Sequence, residues 1–160
     1  MVSPLEQMLI EAEARYLTPE QLEQLKAYVL GWPKRLHVYR AVREGESQMV
    51  SRTLSALQKE MPNLSPQMVD LCRRHLLLLL RYSALAMLLQ DEDLLKERLI
   101  EWMEEEVRLY GLQSAYEVAY RICQQELRDR LAPGELEFIR PLITQAQAAL
   151  LSLDGLRSTE

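Results

Sequence analysis

Apolar residues recur along this chain at steps of three and four, and no stretch alternates with a sustained period of two. That pattern predicts helices throughout and an all-α fold. Residues 4–15 form a first helix, with Leu5, Met8, Leu9 and Ala12 on one side. Thr18-Pro19-Glu20-Gln21 opens a second. Threonine suits the N-cap, proline suits the first turn, and Gln21 completes a capping box. Leu22, Leu25 and Val29 carry its apolar stripe with Tyr28 at the edge, and Gly31-Trp32-Pro33 reads as its end. A third helix covers 34–57, with a bend at Gly45. Met61-Pro62-Asn63 breaks the chain, Ser65-Pro66 restarts it, and the longest helix runs on to Leu89. Asp91 caps a helix over 92–110, whose Leu95, Leu99, Trp102, Met103 and Leu109 line the buried side and whose end is Gly111. Ser114-Ala115-Tyr116-Glu117 reads as a capping box for a helix over 115–131. After the turn Ala132-Pro133-Gly134, a last helix spans 135–152.

The organisation that follows is an N-terminal helical hairpin over 1–33, a helical core over 34–153, and a flexible polar tail over 154–160. At 160 residues, 48% of them hydrophobic, the chain is long enough to bury one proper core. A net charge of −5 gives no support to a nucleic-acid partner. Two cysteines far apart make no disulfide framework and fit a reducing compartment. The acidic, amphipathic start lacks the basic and apolar regions of a signal peptide. The run Leu76–Leu89 is interrupted by Arg81 and falls short of the ~20 residues a membrane span needs, so it reads as a buried core helix.

Unusual chemistry gathers on that longest helix. Cys72, His75, Leu79 and Tyr82 share one face, with Arg74 and Arg81 stacked on a neighbouring one. The simplest reading of Cys72 is a small buried hydrophobe; the sharper ones are a nucleophile, a metal ligand or an attachment point. A zinc site wants about four ligands. The chain has two Cys and two His, and His37 and Cys123 lie in other helices. His75 is either a satisfied core histidine or, with His37, a candidate haem ligand, although Phe138 is the only phenylalanine a haem pocket could use. Arginines beside an apolar face call for carboxylates, supplied internally or by a ligand. Residues 91–106 carry eight acids against two bases, a run that reads most simply as a solvated face. Tyr28, Tyr82, Tyr116 and Tyr120 either fill the core or line a planar ligand. No Gly-rich phosphate loop, HExxH or GxSxG is present, and the chain is not expected to be an enzyme.

The segment CRRHLLLLLRYSALAMLLQDEDLLKERLIEWMEEEVRLYG, Cys72 to Gly111, resembles the phycobilisome protein family, the globin-like bilin-carrying subunits of cyanobacteria. In that family the attachment cysteine opens a CxRD motif, an LRY follows, then a small-plus-Asp turn and a helix ending in glycine. Cys72, Arg74, Leu80-Arg81-Tyr82, Asp91, Arg98 and Gly111 fall at matching spacing without a gap. RYLTPEQLEQLKAY, Arg15 to Tyr28, is similar to the family's pattern around its second helix. The resemblance implies a globin-like core with a two-helix N-terminal extension, which antenna subunits use for pairing. It implies that Cys72 stands where an open-chain tetrapyrrole is thioether-linked and Arg74 where an arginine meets a propionate, with Arg81, Tyr82 and His75 beside the pigment. Three departures matter: His75 replaces the aspartate that accepts pyrrole N–H groups, Gln90 replaces a turn glycine, and Val107 replaces a tyrosine. A neutral imidazole offers one lone pair, and a protonated one repels a cationic chromophore.

These departures make the chain similar to the divergent phycobilisome-like globins linked to bilin biosynthesis. Such a protein is expected to bind a bilin, with phycocyanobilin the candidate and covalent or reversible linkage open, and to assist its synthesis or delivery. The alternatives are a light-harvesting subunit with a bilin linked at Cys72 and a pigment-free interaction protein of the phycobilisome. The expected place is the cytoplasm, at the phycobilisome or thylakoid surface. The expected partners are the bilin and a protein or second copy docking on the N-terminal hairpin.

Overall fold

The computed structural model describes residues 4–151, and every regular element among them is helical. In chain order these are α1 (Pro4–Ala12), α2 (Pro19–Glu60), α3 (Pro66–Leu89), α4 (Glu92–Leu95), a π-helical turn (Lys96–Ile100), α5 (Glu101–Tyr110), α6 (Gln113–Arg130) and α7 (Pro133–Leu151). The polar tail expected over 154–160 lies outside the described residues. No described helix is long and apolar enough to cross a membrane.

Local chemistry sets most of the boundaries. The Thr18 hydroxyl accepts from the Gln21 amide while the Gln21 side chain accepts from the Thr18 amide, so the expected capping box is formed. Ser65 caps α3 at the Met68 amide, and Asp91 caps α4 at the Leu94 amide, each at 3.2 Å. Gly111 ends α5 in the left-handed region, at φ 63°. Gln90 ends α3 in the same conformation, at φ 53°. A side chain there costs roughly 1–2 kcal/mol that a glycine would avoid. The box expected at Ser114 is not used: α6 begins at Gln113 behind Leu112, without a side-chain cap. The first helix stops at Ala12, short of the expected Arg15.

Helix α3 lies in the middle, packed against α2, α7 and the α4–α5 segment, while α6 lies across α2 and α7. This explains its greasy sequence: a helix covered on most sides needs apolar residues around most of its circumference. Leu76, Leu79 and Leu80 are sealed in the core. Each contributes about 1.5–3 kcal/mol relative to an exposed leucine.

One expectation fails, and its failure ties the N-terminal hairpin to the core. The chain does not stop at Gly31-Trp32-Pro33; α2 runs through it without a break. Pro33 removes one N–H from the helical ladder. Two residues on, the fully buried Arg35 folds back along the helix, and its Nη2 donates to the Tyr28 carbonyl at 2.8 Å. Its Nε donates across to the Leu88 carbonyl at 3.0 Å, in the last turn of α3, where the helix dipole is negative. The guanidinium lies 4.5 Å from the centre of the Tyr28 ring. Gly31 leaves the room: a Cβ there would sit 2.6 Å from Arg35 Nη1. Arg35 therefore ties the turn before the proline to the end of α3, and so locks α2 to α3. Arg35→Met is expected to break both of these bonds and lower the unfolding free energy by about 2–4 kcal/mol. Urea denaturation reads this directly, and an unchanged midpoint would remove Arg35 from this role.

Candidate functional site

The chemistry that the sequence placed on α3 is only partly brought together. Cys72 and His75 are buried on the inner face of the helix, and each is approached by residues from α5 and α6. His75 Nε2 lies 2.7 Å from Glu106 Oε2, from α5. Its Nδ1 is hydrogen-bonded to the hydroxyl of Tyr116, from α6. Tyr116 stacks on the imidazole with ring centres 5.6 Å apart, and Trp102 meets the same ring edge-on at 5.6 Å. Tyr120 continues the aromatic wall, 5.8 Å from Tyr116. The thiol of Cys72 lies beside the Tyr116 hydroxyl.

The carboxylate fixes the direction of these bonds. It only accepts, so Nε2 carries the proton and donates. Nδ1 is then an acceptor, and the Tyr116 hydroxyl donates to it. The order from the half-exposed Glu106 inward is carboxylate, imidazole, phenol, thiol.

Burial dominates the ionisation of the group. It pushes the Cys72 thiol up to about 11, against the Tyr116 hydrogen bond that draws it down. It pulls His75 below its ordinary value; the hydrogen bond and charge of Glu106 oppose this, and the charge of Arg74 adds to it. Burial also holds Tyr116 and Tyr120 firmly protonated. Cys123, in the core of α6, is pushed up to about 12.

The other expected site residues stand elsewhere. Arg74 is exposed at the surface of α3, with Asp70 at 3.8 Å, yet its charge reaches His75. Arg81 points the other way. Its Nε and Nη2 grip Glu46 of α2 at 2.6 and 3.0 Å, in a groove between α2 and α3. That groove holds cavities of about 300 and 520 Å³ to which Arg81 contributes and Cys72 and His75 do not. Tyr82 is half-buried against the core, and Tyr28 belongs to the Arg35 contact. Two members of the cluster were not anticipated as site residues, Trp102 and Glu106. Their spacing of four on one helix face is the signal that could have found them.

A family model described as a phycobilisome protein matches residues 9–150. The chain belongs to the phycobilisome protein family. Its all-α architecture agrees with the globin-like fold of that family. Among curated proteins, none matches the chain. Phycobilisome proteins generally bind bilins. Trp102 reaches the surface beside the cluster, Tyr116 and Tyr120 are sealed in the core, and the Tyr120 hydroxyl is buried without a hydrogen-bond partner. Arg74 is lightly held and could meet a carboxylate.

The lowered basicity of His75 makes a pH prediction. Its folded-state value lies below the unfolded one, so the unfolded chain binds the proton more readily and folding weakens as pH falls through and below about 6.5. Urea midpoints compared at pH 7.5 and pH 5.5 should show this loss. Glu106→Gln removes the opposing carboxylate and should deepen it, whereas His75→Asn should shrink it. A variant series with identical pH slopes would exclude His75 as the source.

Proposed function

We propose that this phycobilisome family member binds an open-chain tetrapyrrole beside Cys72, between α3, α5 and α6, and serves bilin biosynthesis or delivery as a carrier rather than as an antenna subunit or an enzyme. One observation carries the reading. At the position where the family resemblance implies an aspartate facing the pyrrole nitrogens, the chain has His75, and both of its ring nitrogens are already engaged, by Glu106 and Tyr116. A bright antenna needs a fixed anionic acceptor that keeps the chromophore rigid and protonated. An imidazole whose charge is disfavoured by burial does not supply one. It does suit a site that holds the pigment and lets it go. Arg74 would meet a propionate, and the aromatic wall would cover the rings.

A second reading, a subunit with a bilin permanently thioether-linked at Cys72, draws support from the place of that cysteine in the matched family segment. In either case the proposed setting is the cyanobacterial cytoplasm, at the phycobilisome or thylakoid surface. The N-terminal hairpin leaves Leu9, Ile10, Leu22, Val29 and Leu30 exposed, and is the surface proposed for a protein partner or second copy.

Titration of the purified chain with phycocyanobilin tests the proposal. A carrier should give a red-shifted visible band that follows the protein on gel filtration and is lost on mild denaturation. Arg74→Ala should weaken binding about tenfold, the worth of one charge-assisted hydrogen bond. Colour that survives acid denaturation as a permanent adduct would favour the antenna reading. No spectral change with any bilin would leave the pigment-free interaction protein.

A further inference from the structure

We propose that a cavity of about 270 Å³ between α2, the end of α3 and α7 binds a small zwitterion, a molecule with a carboxylate and an ammonium group on one apolar frame. Arg35, Met87 and Leu142, all buried, form its floor. Gln90, Glu92, Glu137 and Phe138, all exposed, form its rim. Neither Cys72 nor His75 nor Tyr116 lines it, so the site is independent of the pigment reading.

The floor carries a cation in need of an anion. Arg35 is only 2% exposed. Its Nε and Nη2 donate to neutral carbonyls, at Leu88 and Tyr28. Among the described residues Nη1 takes no hydrogen bond, and no carboxylate forms an ion pair with the guanidinium. A buried guanidinium is costly without an anion, and a ligand's carboxylate matches its fork of donors. The acids nearest the cavity do not serve. Glu137 is bound to Arg140 at 2.7 Å, and Glu92 stays exposed at the rim.

These two rim acids decide the rest of the ligand. Glu92 and Glu137 repel a simple anion on its way to the floor, and Arg35 repels a simple cation that enters. A molecule with both charges satisfies both, with its carboxylate inward and its ammonium outward. Met87, Leu142 and Phe138 offer apolar surface to the frame between the charges. Gln90 brings a neutral amide to the same rim, and it does so from the left-handed region, at φ 53°. Non-glycine residues held there cluster at binding sites, where the surroundings offset the strain. The volume suits a ligand of amino-acid size, just under the roughly 300–1,000 Å³ of pockets for drug-sized molecules.

Calorimetric titration of the purified full chain at low salt tests the site with two matched sets of probes. One set is L-leucine, 4-methylpentanoate and 3-methylbutylamine; the other is 6-aminohexanoate, hexanoate and hexylamine. At least one zwitterion should bind at least about tenfold more tightly than either of its single-charge relatives. Glu92→Gln and Glu137→Gln change exposed side chains and leave the fold in place. Together they should weaken that zwitterion by about tenfold and narrow its lead over the carboxylate relative. Bound at Arg35, the zwitterion should also raise the urea midpoint, a rise that Arg35→Met should lose. Should Arg35→Met fail to fold, the rim pair still decides. Binding of neither zwitterion, equal binding of a zwitterion and its single-charge relatives, or binding that the rim pair leaves unchanged would overturn the site. So would a rise in midpoint that Arg35→Met retains.

Discussion

An imidazole buried among leucines must satisfy two nitrogens at once. At His75 the two partners come from different helices, a carboxylate from α5 and a phenol from α6. Three elements are thereby held to one ring. Any shift of α5 relative to α3 strands a charge, and any shift of α6 strands a hydroxyl. Leucine packing alone would tolerate sliding along the interface; directional bonds do not. The site owes its definition to this constraint, and so does the depth at which the thiol sits.

Arg35 answers a related problem with different means. It is a buried cation without a carboxylate, and it is held by two carbonyls and an aromatic face. Backbone carbonyls at a helix end are under-satisfied, so the guanidinium finds partial negative charge at Leu88, in the last turn of α3. The consequence is mechanical. The hairpin and the core share one long helix, and that helix is fastened to the end of α3.

Much of the fold was legible because its signals are local. Thr18, Ser65, Asp91 and Gly111 each act within one turn of their own position, and each does in the structure what its type and spacing suggest. Pro33 misled because its local message, a helix end, is overruled by Arg35, whose partner at Leu88 is 53 residues away. Ser114 misled because α6 starts in the same turn that closes α5, with Tyr116 N already bonded to the Leu112 carbonyl. At the site, Cys72 and His75 were visible from their chemistry. Glu106 was hidden in a run of acids that is mostly solvated; only the tertiary fold turns that one inward. Arg74 and Arg81 looked alike seven residues apart, and it is Glu46 on α2 that separates their roles.

The wide turn at Lys96–Ile100 gives this last segment its meaning. Leu95, Leu99, Met103 and Val107 are all fully buried and follow one another in strict steps of four. In an ordinary α-helix such a series drifts by about 40° at each step and would wind off the core within three. A π turn holds one residue more, and so absorbs the drift. The same insertion sets the angle at which everything beyond it emerges, and Trp102 and Glu106 lie beyond it. A single residue gained in this turn thus helps aim a half-exposed acid at a buried imidazole, which is how a surface helix can acquire chemistry without any change at the residues that perform it.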